Sequence, residues 1–211
     1  MKIYSFRKDG TIMIDITMTI KESMKVYKNK AEKKPKFTVV SQKPVYETDI
    51  SLNLHTGTHM DFPKHMIPDG KTSKDYNIEH FIGKCYVVDV TFLDRRILRK
   101  DITSINLSTY DFILFKTKNS FSDTFNPDFV YLSEEAAAYL SQADLKGVGI
   151  DGLGIEREQA GHPTHKLLLS KDILIYEGLD LSQVEEGVYE FVGLPLKIDD
   201  VEASLVRAIL R

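Results

Sequence analysis

At 211 residues and 42% hydrophobic content, the chain can bury a sizeable core and is expected to form one domain over residues 1–211. Its net charge is −3 with both signs interspersed, and no run approaches the ~18 apolar residues of a membrane span, which argues against nucleic acid and membrane as partners. A single cysteine, Cys85, excludes an intrachain disulfide; with no apolar signal-peptide region at the N-terminus, a cytoplasmic location is expected.

Along the chain, the apolar, β-branched run Ile12–Met18 predicts a strand, and the basic stretch Lys25–Lys36, broken by Glu32 and Pro35, predicts a solvated loop. Thr48–Leu54 alternates enough for a strand running into a dense histidine cluster, and a helix is expected after Ser73 or Ile78. Four short apolar runs, Cys85–Val90, Phe112–Lys116, Val148–Ile150 and Ile173–Tyr176, predict buried strands, with Cys85 as a buried strand residue. Ser133 followed by Glu134, Glu135 and three alanines opens a helix predicted to stop near Asp144–Gly147. Ser182-Gln-Val predicts a brief turn. Strands mixed with helices imply an α/β domain with a substantial mixed sheet or barrel.

The chemistry concentrates in His55-Thr-Gly-Thr-His59-Met-Asp61-Phe-Pro-Lys-His65, three imidazoles and a carboxylate within eleven residues. Imidazole and carboxylate suit divalent metals such as Zn²⁺ or Mn²⁺. In a straight strand His55, His59 and Asp61 share a face, but His55 and His59 would stand about 13 Å apart. The chain is therefore expected to bend at Gly57, which tolerates unusual backbone angles. Asp61 adds an anion whose second oxygen can bridge, and Pro63 fixes the turn presenting His65. His162 and His165 lie close together further on, and Glu177 ends an apolar run, at a strand mouth. His80 is expected at a helix end or on the surface.

The spacing His55-x3-His59-x-Asp61-x-Pro63-x-His65 resembles the signature of the cyclase, or kynurenine-formamidase-like, family of metal-dependent hydrolases. The resemblance extends through Ile14–Thr17, Ile113–Thr117, Leu132-Ser-x-Glu-Ala-Ala, Lys146–Asp151, Gly193–Lys197 and Val206-Arg207. In that family a histidine is followed twelve residues later by a glutamate, a spacing that His165 and Glu177 share. The resemblance implies two ions, one held by His55, His59 and Asp61 and one by Asp61, His165 and Glu177, with His65 as general base and acid. His162 would be a neighbour of His165. It also implies a swivelling β/β/α fold with a partly barrel-like mixed sheet flanked by helices, and a homodimer or higher homo-oligomer. After Asp151 the family commonly carries hydroxyl residues and an aspartate, where this chain reads Gly152-Leu-Gly-Ile-Glu156; it also has no tryptophan, so an aromatic wall would need Phe or Tyr.

The function implied is hydrolysis of a C–N bond in a formamide, linear amide or cyclic amide, N-formylkynurenine or an isatin-like ring among them, by metal-bound hydroxide. A metal-assisted cyclase or dehydratase would use the same residues, and a non-catalytic metal-binding domain is the third reading. The absence of cysteine ligands and the open positions favour a catalytic ion over a structural one.

Overall fold

Apolar residues on both faces of the same short strands set the architecture. The computed structural model describes residues 4–6 and 12–211. Its strands are β1 (Tyr4–Phe6), β2 (Ile12–Asp15), β3 (Lys36–Ser41), β4 (Glu47–Ser51), β5 (His59–Asp61), β6 (Ile82–Asp89) and β7 (Arg96–Ile97). They continue with β8 (Phe112–Lys116), β9 (Tyr131–Leu132), β10 (Gly147–Ile150), β11 (Leu174–Glu177), β12 (Gly187–Pro195) and β13 (Ala203–Leu210). The α-helices among the described residues are α1 (Glu134–Leu140) and α2 (Pro163–Leu169). Strands β13, β12, β6, β8, β10, β11 and β5 are neighbours in that order, and β5 pairs back onto β13. The sheet thus closes into a seven-stranded, barrel-like ring. Strands β6, β8, β10 and β11 run parallel, while the other junctions of the ring are antiparallel. This is the mixed, barrel-like α/β architecture expected from the sequence.

Period-two alternation divides the apolar residues between two cores. Phe112 and Leu114 of β8 join Cys85, Val87, Met60, Tyr176 and Phe191 inside the ring. Ile113 and Phe115 point the other way and pack with Val148, Ile150 and Ile175 against Ala136, Ala137 and Leu140 of α1 and Leu168 and Leu169 of α2. On β5 the inward residue is Met60, and on β11 it is Tyr176, so His59, Asp61 and Glu177 are left on the outer, α2-covered face. Barrel closure therefore selects which side chains can meet beneath α2.

Several elements differ from the sequence expectation. The segment after Ser73 forms only 3₁₀ turns, Ser73–Asp75 and Ile78–Phe81, followed directly by β6. The basic stretch also holds 3₁₀ turns, Tyr27–Asn29 and Ala31–Lys33, and Lys25 Nζ reaches the carbonyls of Asn119 and Ser122. Helix α1 begins at its Ser133 cap, whose hydroxyl accepts from the Ala136 amide, but stops at Leu140. The predicted strand Thr48–Leu54 ends earlier, at Ser51, and pairs with β3 in a hairpin. That hairpin exposes Val39, Val40, Val45, Tyr46 and Ile50.

Two glycines join the strands that carry the site. Gly57 (φ +71°) and Gly178 (φ +66°) are both left-handed, and a Cβ on Gly178 would lie 2.4 Å from the carbonyl oxygen of Gly57. The Thr58 hydroxyl crosses the same junction, donating to Gly178 O at 2.5 Å and accepting from the Met18 amide at 2.8 Å. Gly178→Ala is expected to cost at least about 1–3 kcal/mol in chemical denaturation, from the backbone conformation alone. An unchanged midpoint would show that the two segments are not pressed together.

Candidate metal centre

The centre is assembled where β5 lies between β11 and β13. Antiparallel register places Glu177 opposite His59 and Ile175 opposite Asp61, while β13 sets Leu205 and Ala203 on the other flank. Ahead of β5 the chain bends at Gly57, and the rings of His55 and His59 come within 5.2 Å rather than the separation of a straight strand. Pro63 opens the 3₁₀ turn Pro63–His65, which swings the His65 ring to 4.3 Å from His55 and 5.7 Å from His165. His165 is supplied from α2. All six residues singled out in the sequence, His55, His59, Asp61, His65, His165 and Glu177, therefore converge.

Asp61 is the centre of the arrangement. One carboxylate oxygen faces His55 Nδ1 at 3.0 Å and His59 Nε2 at 3.7 Å, and the other faces His165 Nε2 at 3.8 Å. Glu177 is divided in the same way, with Oε2 3.5 Å from His59 Nε2 and Oε1 3.4 Å from His165 Nε2. Its Oε1 also accepts from the Ile155 amide at 2.6 Å. Among the described residues of the cluster, both oxygens of Asp61, the Nε2 of His59 and the Nδ1 of His165 are buried and have no partner in hydrogen-bond geometry. Such groups are costly unless something else satisfies them. Ligands around a tetrahedral ion with bonds of ~2.0–2.1 Å sit about 3.3 Å apart, close to most of these separations. The donor set and its orphaned atoms fit a divalent cation.

Charge within the cluster points the same way. Burial works against the Asp61 carboxylate, but His55, His59 and His65 outweigh it and hold its pKa well below the usual range. Burial likewise opposes a charged His165, yet Glu156, Glu177 and Asp61 raise its pKa to about 10. His55 is raised despite burial, by Asp61, Glu177 and Glu202. His65 moves the other way: burial, together with the charges of His55 and His165, outweighs Asp61 and Glu177 and depresses it.

Each imidazole facing Asp61 is also held from behind. His59 Nδ1 bonds to the Gly57 carbonyl at 2.9 Å, His55 Nε2 lies 3.4 Å from the half-buried Glu202, and His165 Nδ1 lies 3.0 Å from the buried Glu156. Glu156 and Glu202 were not legible as site residues. Glu156 stands in the irregular loop after Asp151, and Glu202 reaches the site only because β13 pairs with β5. Tyr27 is a further addition: burial and the charges of Glu177 and Glu156 raise its phenol, which places it beside the cluster. Asp151, by contrast, is structural, accepting from Thr117 N and Oγ1 and from Ser120 N and Oγ. His80 lies in the 3₁₀ turn Ile78–Phe81 with its ring 5.3 Å from Tyr76, away from the cluster.

With this geometry in hand, comparison with known proteins is direct. The cyclase family model matches residues 14–157. A kynurenine formamidase of Erythrobacter litoralis is 35% identical over 170 residues, covering 80% of this chain and 78% of that protein. A solved structure described as a potential metal-dependent hydrolase with cyclase activity superposes with a TM-score of 0.88 at 45% identity, over 94% of this chain and 96% of the other. Isatin hydrolase A of Labrenzia aggregata superposes with a TM-score of 0.81 over 94% and 92% of the two chains; at 22% identity that likeness speaks for the fold alone.

If Asp61 is the shared anion of a cation site, adding Zn²⁺ or Mn²⁺ should raise the thermal midpoint of the native protein, by an amount set by ligand excess over Kd. The isosteric Asp61→Asn variant is expected to lose most of that rise. An equal rise in both would remove Asp61 from the metal centre.

Proposed function

This chain belongs to the cyclase family, and on that premise we propose that it is a metal-dependent amidohydrolase cleaving the C–N bond of a formamide, a linear amide or a cyclic amide. N-formylkynurenine is the first substrate to try, because a relative is a kynurenine formamidase, and an isatin-like ring is the cyclic-amide candidate that the sequence resemblance implies. The observation that carries the reading is the juxtaposition of Asp61, buried, anionic and surrounded by the imidazoles of His55, His59 and His165, with the imidazole of His65 nearby.

In this reading His55, His59 and Asp61 would hold one ion, and Asp61, His165 and Glu177 a second, with Glu177 turned toward His59 as well. When bound, a divalent ion makes hydroxide available near neutral pH and polarises a carbonyl. The chain's own groups do the rest. His65, kept largely neutral by its depressed pKa, takes the proton from the attacking water and returns it to the departing nitrogen. Without that return an amide nitrogen leaves poorly. Tyr27, Phe125 and Phe129 pack as an aromatic cluster, with Tyr27 5.3 Å from Phe125 and 6.4 Å from Phe129, and Phe129 is buried within it.

The test is turnover of N-formylkynurenine and isatin in ¹⁸O-labelled water, before and after chelation. One labelled oxygen in each formate released from N-formylkynurenine, or in the new carboxylate of each isatinate formed from isatin, lost on chelation, is expected; a cyclase or dehydratase would incorporate none. His65→Ala should keep its metal and lose on the order of 10²–10⁴-fold in kcat. Metal-loaded protein that hydrolyses no formamide or cyclic amide would overturn the assignment. Loss of one metal equivalent in His65→Ala would instead make His65 a ligand, a role compatible with the mutual closeness of His55, Asp61 and His65.

A further inference from the structure

The buried carboxylate of Glu156 stands behind the centre and touches three residues at the start of α2. Its Oε1 lies 2.5 Å from His162 Nδ1 and 3.0 Å from His165 Nδ1, and its Oε2 accepts from the Thr164 amide at 2.9 Å. Two of these contacts are to the first turn of α2 and to a ligand candidate on the same helix. The third secures an unfavourable backbone: Gly161 (φ +80°) and His162 (φ +55°) are consecutive left-handed residues leading into α2. Glu156 thus fixes where α2 starts and, through it, where the His165 ring stands.

We infer that Glu156 is the positioning residue for His165, setting how tightly the ion on the His165–Glu177 side is held. The inference rests on the metal-centre reading above. The physical argument concerns the ring's two nitrogens. A neutral imidazole carries one proton, and the negative charge of Glu156, 3.0 Å from Nδ1 though outside hydrogen-bond geometry, favours that proton on Nδ1. The Nε2 lone pair is then left facing Asp61 and Glu177, where a cation would be held. The Gly57 carbonyl does the same for His59, but as a neutral acceptor. An anionic partner raises ligand basicity as well as fixing the tautomer. Behind His55 stands the half-buried Glu202 at 3.4 Å, a weaker support than the buried Glu156 behind His165. Glu156 acts through His165 and has no part in proton transfer to substrate.

Glu156→Gln keeps the shape and an acceptor for Thr164 while removing the charge. Titration of the metal-stripped protein with Zn²⁺ against a competing chelator should show one of two sites weakened about 10–100-fold and the other little changed. The Co²⁺-loaded variant should show an altered visible d–d spectrum while the metal-free variant keeps the native circular dichroism and thermal midpoint, which a structural defect in α2 would change. Two sites of native affinity with a native Co²⁺ spectrum would overturn the inference while leaving the hydrolase reading intact. Native protein that binds no metal would overturn both. A third equivalent in the native protein, absent from His162→Ala, would make Glu156, His162 and His165 a metal site of their own and displace the positioning role.

Discussion

Everything in the centre answers to one constraint: a charged carboxylate, Asp61, placed in the protein interior with imidazoles, and no backbone amide or hydroxyl, facing its oxygens. An isolated buried carboxylate costs several kcal/mol even after relaxation, so positive charge must be supplied from close by. Without a cation, protons on His55 and His165 serve, and the raised pKa values of both record that role. With a cation, metal and proton compete for the same nitrogen lone pairs, which couples metal affinity to pH. The imidazoles surround Asp61 from the turn before β5, from β5 itself and from α2, and so cannot all follow it if it moves.

The barrel is what lets a short element carry such a load. Strand β5 has three residues, yet it is paired on one side with β11 and on the other with β13. Placed in a closed ring, it has no free edge and little room to slip in register, and a slip of one residue would turn His59 and Asp61 into the apolar interior. Tyr176 and Met60 anchor that choice from inside, while Ile175, packed with Leu168 of α2, anchors it from outside. Glu177 reaches His59 because the same register puts them opposite one another. Fold and chemistry are thus fixed by the same strand pairings.

How much of this was legible in the sequence depended on how local the cause was. The strand at Phe112–Lys116 was evident because its first four side chains, Phe112 to Phe115, each meet an apolar layer. The histidine cluster and the bend at Gly57 were evident because ligand spacing and glycine's permissiveness are local properties. Helix α2 was not: it has seven residues, it is entered through Gly161 and His162, and its first turn is satisfied by Glu156 rather than by a Ser, Asp or Asn immediately before it. Strands β12 and β13 were hidden for another reason. Their outward residues, Glu190 and Arg207 among them, pair at the surface with Arg211 and Asp15, so the segments lack a continuous apolar run. Glu202 could be found only once β13 was known to pair with β5. The 3₁₀ turns after Ser73 share capping residues with helices, the Thr72–Asp75 capping box included, but are not continued because the chain passes into β6.

The most direct measurement is anomalous diffraction from crystals of the Mn²⁺- or Zn²⁺-loaded protein. Two peaks about 3.5–4 Å apart are expected astride Asp61, one beside His55 and His59 and the other beside His165 and Glu177. Crystals of metal-soaked protein with no peak within bonding distance of Asp61 would contradict the account at its centre.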